Sequence, residues 1–311
     1  MDSADTQDLS TVAGIVQKVT EQFKQSSITY AHGTDNAYDE ACYLIFGILD
    51  LDHNNLEKAR EREVTVNERS KIDRFVSKRI KKKIPTAYLL NKAWFCGLRF
   101  YVDERVLIPR SPIAELIKNE FKPWIKNNGF FKAADLGTGS GCIAIALAKI
   151  FPEIHIDAID VSRKALEVAS INVKAYQFED RITLVESDFF NFLDPTCDQL
   201  RYDLIISNPP YVDVSEMRIL ADEFLYEPSV GLEAGKDGLE SVIKILCVAT
   251  NFLNNDGLLV VEVGKSQDIL ESMFPEITFT WIEFKYGGSG VFVFTKQELD
   301  YYSKLFFDNN G

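Results

Sequence analysis

The stretch Ala133-Ala134-Asp135-Leu136-Gly137-Thr138-Gly139-Ser140-Gly141-Cys142 decides the fold. Its first four residues suit a short interior strand, and the glycines at 137, 139 and 141 let the backbone turn tightly and come close to a ligand. A helix is expected over 142–149. Strand, glycine loop and helix in that order open a doubly wound α/β sheet, and the chain downstream keeps alternating between strands and helices. Further strands are expected near 154–159, 182–186, 204–207, 258–263, 279–284 and 291–294, which makes a seven-stranded sheet. The turn Gly287-Gly288-Ser289-Gly290 joins the last two strands, so the last strand is expected to be antiparallel. Thr295 and Glu298 have the spacing of a capping box for a short terminal helix.

A dinucleotide-binding loop would carry its third glycine where this chain has Cys142. The tighter G-x-G-x-G spacing fits a ligand without a pyrophosphate. Its amino-acid portion would rest on Gly137, Thr138, Gly139 and Gly141, and its ammonium would meet Asp135. Asp160, ending the second strand, stands where an acidic side chain accepts hydrogen bonds from ribose hydroxyls. Asp188, after the third strand, is placed to accept from an adenine amine, with Phe189 lying against the ring; a helix N-cap is the alternative reading of Asp188. These groups lie at successive strand ends and therefore on one crevice.

The fourth strand runs into Ile205-Ile206-Ser207-Asn208-Pro209-Pro210-Tyr211. Two consecutive prolines cannot donate to a sheet ladder, so Asn208 is held just beyond the strand end. The carbonyl oxygens of Asn208 and Pro209 can then face a cavity without backbone donors competing beside them, and Tyr211 would add an aromatic wall. Such a corner suits an NH2 group on a flat, delocalised system, either a carboxamide or an exocyclic base amine. The Asn208 side-chain oxygen would accept one N–H and the Pro209 carbonyl the other. A strand-ending loop with a chance Pro-Pro is the plainer alternative.

Ahead of the sheet, from Leu9 to about Ile84, apolar residues recur at helical spacing. Val12, Ile15, Val16, Val19 and Phe23 form one stripe, and Ala41, Leu44, Ile45 and Ile48 another. A third helix is expected over 66–83 with Ile72, Phe75, Val76 and Ile80 inward, before Pro85 stops it. It carries Arg69, Lys71, Arg74, Lys78, Arg79, Lys81, Lys82 and Lys83, a basic patch that reads either as a solvated face or as a contact with RNA or a ribonucleoprotein. A β-hairpin is expected over 94–102 around Gly97. After it, Pro109-Arg110-Ser111-Pro112 presents the Arg110 cation rigidly before a helix over 114–125. The long segment 212–238, which includes Tyr226-Glu227-Pro228, reads as a substrate-shaping lid or as a tolerated insertion.

With 311 residues, 46% hydrophobic and 26% charged, the chain has the size for two domains and the composition of an ordinary soluble globular protein. Its net charge of -13 argues against an extended nucleic-acid footprint and favours a basic protein partner. Cys42, Cys96, Cys142, Cys197 and Cys247 are scattered, with no close pair and no histidine at metal-ligand spacing. They read as buried thiols in a reducing compartment, with no metal site. Asp2, Asp5 and Asp8 with no long apolar run point to a cytoplasmic protein.

Asp135 to Gly141 and Ser207 to Tyr211 together resemble the amino-methylating branch of the class I S-adenosylmethionine-dependent methyltransferases. The helical N-terminal part, the hairpin and the Leu107-Ile108-Pro109-Arg110 turn extend the resemblance, over nearly the whole chain, to the protein-glutamine N5-methyltransferases. The turn Pro109-Arg110-Ser111-Pro112-Ile113 departs from the Pro-Glu/Asp-Thr-Glu run that follows Pro-Arg in the release-factor enzymes. With Tyr88-Leu89-Leu90-Asn91-Lys92-Ala93-Trp94-Phe95-Cys96-Gly97 and Phe279-Thr280-Trp281-Ile282-Glu283-Phe284 it is similar to the branch acting on the third large-subunit ribosomal protein.

The resemblance implies S-adenosyl-L-methionine as cofactor, with Asn208 beside it, and catalysis by Asn208, Pro209 and Tyr211. Phe100 and Tyr211 would sandwich the aliphatic part of a glutamine, with Arg110 and Pro210 also at the substrate. It implies a helical substrate-recognition domain over 1–87, a hairpin linker over 88–108 and a catalytic domain over 109–311. The implied partner is a basic ribosomal protein, free or within a pre-ribosomal particle, with neither DNA nor membrane bound. A release-factor enzyme, a nucleic-acid adenine-N6 methyltransferase sharing the Asn/Asp-Pro-Pro-Tyr corner, and a cofactor-binding ribosome-assembly factor are the alternatives.

Overall fold

The computed structural model describes residues 10–51, 56–125, 130–191, 201–211, 220–232 and 238–308. The chain divides into two units, residues 1–93 with 221–226, and residues 94–220 with 227–311.

The first unit is helical: α1 (Val12–Lys24), α2 (Ala37–Leu49), α3 (Leu56–Arg60), α4 (Val66–Lys82) and α5 (Thr86–Leu90). Caps set the starts. Thr11 Oγ1 accepts the Gly14 N–H, Asn36 Oδ1 accepts the Asp39 N–H, and Thr65 with Glu68 closes a full capping box on α4. The Leu9 start expected for the first helix lies outside the described residues. Val12, Ile15, Val16, Val19 and Phe23 of α1 pack with Ala41, Leu44, Ile45 and Ile48 of α2 and with Ile72 and Val76 of α4 in one core. Arg79 corrects the reading of the basic helix: it is 1% exposed. Its Nε donates to Glu40 Oε1 (2.7 Å), its Nη1 to Glu223 Oε1 (3.0 Å) and its Nη2 to the Thr29 carbonyl (2.7 Å), so this cation is spent inside the unit rather than on its surface.

In the second unit the hairpin strand β2 (Leu98–Phe100) follows β1 (Ala93–Phe95) through Cys96 and Gly97, both left-handed at φ 53° and 80°, as a two-residue hairpin turn requires. A seven-stranded sheet is built from β3 (Lys132–Leu136), β4 (His155–Asp160), β5 (Ile182–Glu186), β6 (Tyr202–Ser207), β7 (Leu253–Glu262), β8 (Thr280–Trp281) and β9 (Val291–Thr295), in the order β5-β4-β3-β6-β7-β9-β8. The pairings from β5 to β7 are parallel, and β9 runs antiparallel to both β7 and β8. Helices α6 (Ile113–Lys118), α7 (Cys142–Ile150), α8 (Arg163–Tyr176), α9 (Glu240–Phe252), α10 (Gln267–Met273) and α11 (Lys296–Asp308) accompany the sheet. Leu136, Ile205, Leu259, Val261, Phe292 and Phe294 carry its interior, which also takes in Val242, Leu246, Leu270 and Phe306 from the helices. This is the doubly wound arrangement of the class I methyltransferase fold.

Three elements differ from expectation. The strand over 279–284 keeps only Thr280–Trp281, because the backbone N–H groups of Lys285 and Tyr286 turn to the Glu115 carboxylate and draw the segment off the sheet edge. The helix over 114–125 stops at Lys118, where Glu120 and Phe121 go left-handed and Phe121 is fully buried. The terminal helix is not short: α11 runs 13 residues because Leu299 and Phe306, seven apart on one face, both enter the core. Among the described cysteines only Cys42 is buried, while Cys96, Cys142 and Cys247 are half-buried; Cys197 lies outside the described residues. Among the described residues no helix is long and apolar enough to cross a membrane.

Candidate active site

β3 has β4 on one side and β6 on the other, so the strand order reverses there, and the crevice beyond these carboxyl ends is where such a sheet holds its ligand. A cavity of about 540 Å³ fills it. Four strand ends line this cavity: Gly137, Thr138 and Gly139 after β3, Asp160 on β4, Asp188 and Phe189 after β5, and Asn208 with Pro210 after β6. Its volume lies in the ordinary range of small-molecule sites.

The glycine loop is fixed from below. The N–H groups of Gly137 and Thr138 both donate to the Ile159 carbonyl (2.8 and 2.9 Å), and the Gly139 N–H donates to Asp160 Oδ2 (2.9 Å). At Gly141 a methyl group in place of the hydrogen would meet Ala169 of α8 at 3.4 Å, an ordinary contact, so it is the left-handed backbone, φ 77°, rather than lack of space that favours glycine there. On the cavity side, the nearest atom to a methyl at Gly137 would be the Asn208 carbonyl oxygen at 3.9 Å. The glycine loop and the Asn-Pro-Pro corner therefore face one another. Ser207 Oγ donates to the Leu136 carbonyl (2.8 Å) and ties the two strand ends together.

Asn208 Oδ1 is buried and has no hydrogen-bond partner among the described residues. A buried acceptor left without a donor costs about 1–3 kcal/mol, and Asn208 is among the residues lining the cavity, so a ligand N–H brought to this side chain would relieve that cost. Pro209 is buried and does not line the cavity.

Asp135 is fully buried beneath the loop rather than on the cavity wall. Its Oδ2 accepts from Thr138 Oγ1 (2.6 Å) and from the Ala144 N–H (3.1 Å), while Oδ1 has no partner among the described residues. Burial pushes its carboxyl up to about 7, against the pull of those two donors and with help from nearby Asp160. Asp160 is raised too, chiefly by burial, with the Ser162 and Gly139 N–H groups opposing.

Tyr211 does not form the expected wall. Its ring lies against Gly264, its hydroxyl donates to Glu262 Oε1 (3.0 Å), and it is absent from the cavity lining. Glu262, at the end of β7, also accepts from Ser111 Oγ (2.5 Å); burial raises its carboxyl, opposed by these two hydroxyls and by Arg110. Arg110 lines the cavity, and Glu227 holds its guanidinium. Phe100 is 1% exposed, stacks obliquely on Tyr176 at 5.7 Å and stays off the cavity. The described part of the lid segment contributes Pro228, Ser229 and Gly231 to the lining, while 212–219 and 233–237 lie outside the described residues.

Glu227, Glu262 and Ser111 were not singled out from sequence. Glu262 ends an apolar strand in the position occupied elsewhere by Asp160, a cue that sequence reading could have used. Glu227 carries no local cue, because its partner is 117 residues away.

A family profile described as methyltransferase small domain matches residues 121–269. The chain is 43% identical over 294 residues to the ribosomal protein uL3 glutamine methyltransferase of Neisseria meningitidis serogroup B, covering 94% of this chain and 95% of that one. It is 42% identical to the protein of the same description from Neisseria gonorrhoeae, covering 94% and 97%. Nearly end-to-end similarity, a doubly wound sheet and a crevice joining a glycine loop to an Asn-Pro-Pro corner place this chain in the family of ribosomal protein uL3 glutamine methyltransferases.

Proposed function

We propose that the chain methylates the side-chain amide nitrogen of a glutamine in ribosomal protein uL3, using S-adenosyl-L-methionine held over the glycine loop. One observation carries the reading: Asn208, whose buried Oδ1 has no hydrogen-bond partner among the described residues, lines the same cavity as that loop. The lining suits the cofactor: the glycines leave room on its floor, and Asp160, Asp188 and Phe189, the residues expected at the ribose and the adenine, are all around it. When bound, this cofactor supplies a methyl group on a sulfonium.

A carboxamide nitrogen is a poor nucleophile because its lone pair is delocalised into the carbonyl. Asn208 Oδ1 accepts one N–H of the substrate amide, which orients the nitrogen and favours the positive charge that grows on it; the Pro209 carbonyl, expected to take the other N–H, belongs to a buried residue off the cavity lining. Orientation of this kind lowers a barrier by about 7 kcal/mol or more in favourable cases, so no strong general base is needed. The proton released after transfer passes to solvent. Glu227 and Arg110 brace the cavity rim, and Glu262 with Ser111 and Tyr211 braces the corner from behind.

The test is transfer of labelled methyl from S-adenosylmethionine to purified uL3, followed by peptide mass spectrometry. One glutamine peptide heavier by one methyl group supports the reading. Unmodified uL3 alongside a modified release factor, or modified nucleic acid, would overturn it.

A further inference from the structure

We propose that the exposed face of α4 binds the sugar-phosphate backbone of RNA; this rests on the reading that the methylated protein is ribosomal. At 3.6 residues per turn, Lys71, Arg74, Phe75, Lys78, Lys81 and Lys82 share one arc of about 120°. All five cations are exposed, while Ile72, Val76 and Arg79 are buried on another side of the helix. The two acids of α4 lie outside that arc and are engaged elsewhere: Glu68 with Arg62 (2.6 Å) and Asp73 with Lys18 (3.6 Å).

Phe75 organises the stripe. Lys71 Nζ, Arg74 Cζ and Lys78 Nζ stand 6.0, 5.8 and 5.7 Å from its ring centroid, so part of the freedom these side chains would lose on binding is already gone. From 71 to 82 the stripe extends about 16 Å, enough to follow several consecutive phosphates.

The rest of the chain gives this local charge its meaning. A protein of net charge -13 repels polyanions, so five exposed cations on one face are a concentrated exception. A basic ribosomal protein is repelled by the same stripe. The RNA that accompanies such a protein is attracted, which assigns α4 to the RNA and leaves the protein substrate to the acidic remainder.

The test uses the full chain and a fluorescently labelled 16-base-pair RNA duplex, followed by anisotropy from 50 to 300 mM KCl. Binding should weaken with salt at a slope of about -0.9 per phosphate engaged. The triple variant Lys71→Glu, Arg74→Glu, Lys78→Glu should bind at least about 30-fold more weakly and lose about 3 from the salt slope. The milder pair Lys71→Gln, Lys78→Gln should lose about 2. Both should keep the wild-type helical content and S-adenosylmethionine affinity.

The proposal falls if the wild type does not bind the duplex at 50 mM KCl, if both variants bind as the wild type does, or if polyglutamate or phosphatidylglycerol vesicles bind as tightly as the RNA. RNA binding together with unmethylated uL3 would instead overturn the proposed function and leave this surface standing.

Discussion

Glu227 holds the Arg110 guanidinium at two points, Nη1 to Oε1 at 2.6 Å and Nη2 to Oε2 at 2.7 Å, while Oε1 also accepts the Ile108 N–H at 2.9 Å. The carboxylate is fully buried and the guanidinium is 23% exposed, so the pair is largely removed from water. Glu227→Ala should cost about 2–4 kcal/mol, because it strands a cation and a backbone donor together. Urea unfolding of the variant measures this, and a loss below about 0.5 kcal/mol would show that the pair is not structural.

Asp135 sets a pH dependence. Its folded-state value of about 7 lies above the ordinary 3.8, so the folded chain holds a proton that the unfolded chain releases. The protonated side chain therefore favours folding below about pH 4, and that advantage is lost progressively as pH rises toward 7. Asp135→Asn removes the titration. The stability of the wild type relative to this variant should fall by a few kcal/mol between pH 4 and 7 and then level off. Parallel unfolding curves across that range, with a constant difference, would contradict the assignment.

Fold and site were legible in unequal measure. The sheet could be read because buried parallel strands are continuous apolar runs, as in Leu258 to Val261, and because glycine and proline mark where they end. Asn208 was legible because its two prolines leave few conformations open. Arg79 was misread because Lys78 and Lys81 flank it, although its spacing of seven from Ile72 and three from Val76 puts it on the buried face. Tyr211 and Phe100 show the limit from the other side. An aromatic beside a site reads the same whether it faces the cavity or the core, and only the partners Glu262 and Tyr176 decide.

Tyr211 is a support rather than a wall of the cavity, and two substitutions separate those roles. Tyr211→Phe removes one donor from buried Glu262, costing about 1.5–3 kcal/mol and raising that carboxyl further. It should leave cofactor affinity within a few-fold and lower kcat by about tenfold or less. Gly264→Ala should do more damage, because a methyl there would stand 2.6 Å from the Tyr211 ring at a backbone φ of 51°. If Tyr211→Phe abolished transfer at unchanged stability, the hydroxyl would have to act on the substrate directly.

The proposed chemistry turns on Asn208 Oδ1 accepting an N–H of the glutamine carboxamide. Single-turnover methyl transfer by Asn208→Ala, with cofactor affinity measured in parallel, tests it most directly. The rate should fall by about a hundredfold or more while the cofactor Kd stays within about fivefold. A variant that binds cofactor normally and transfers the methyl at near wild-type rate would contradict that role for Asn208.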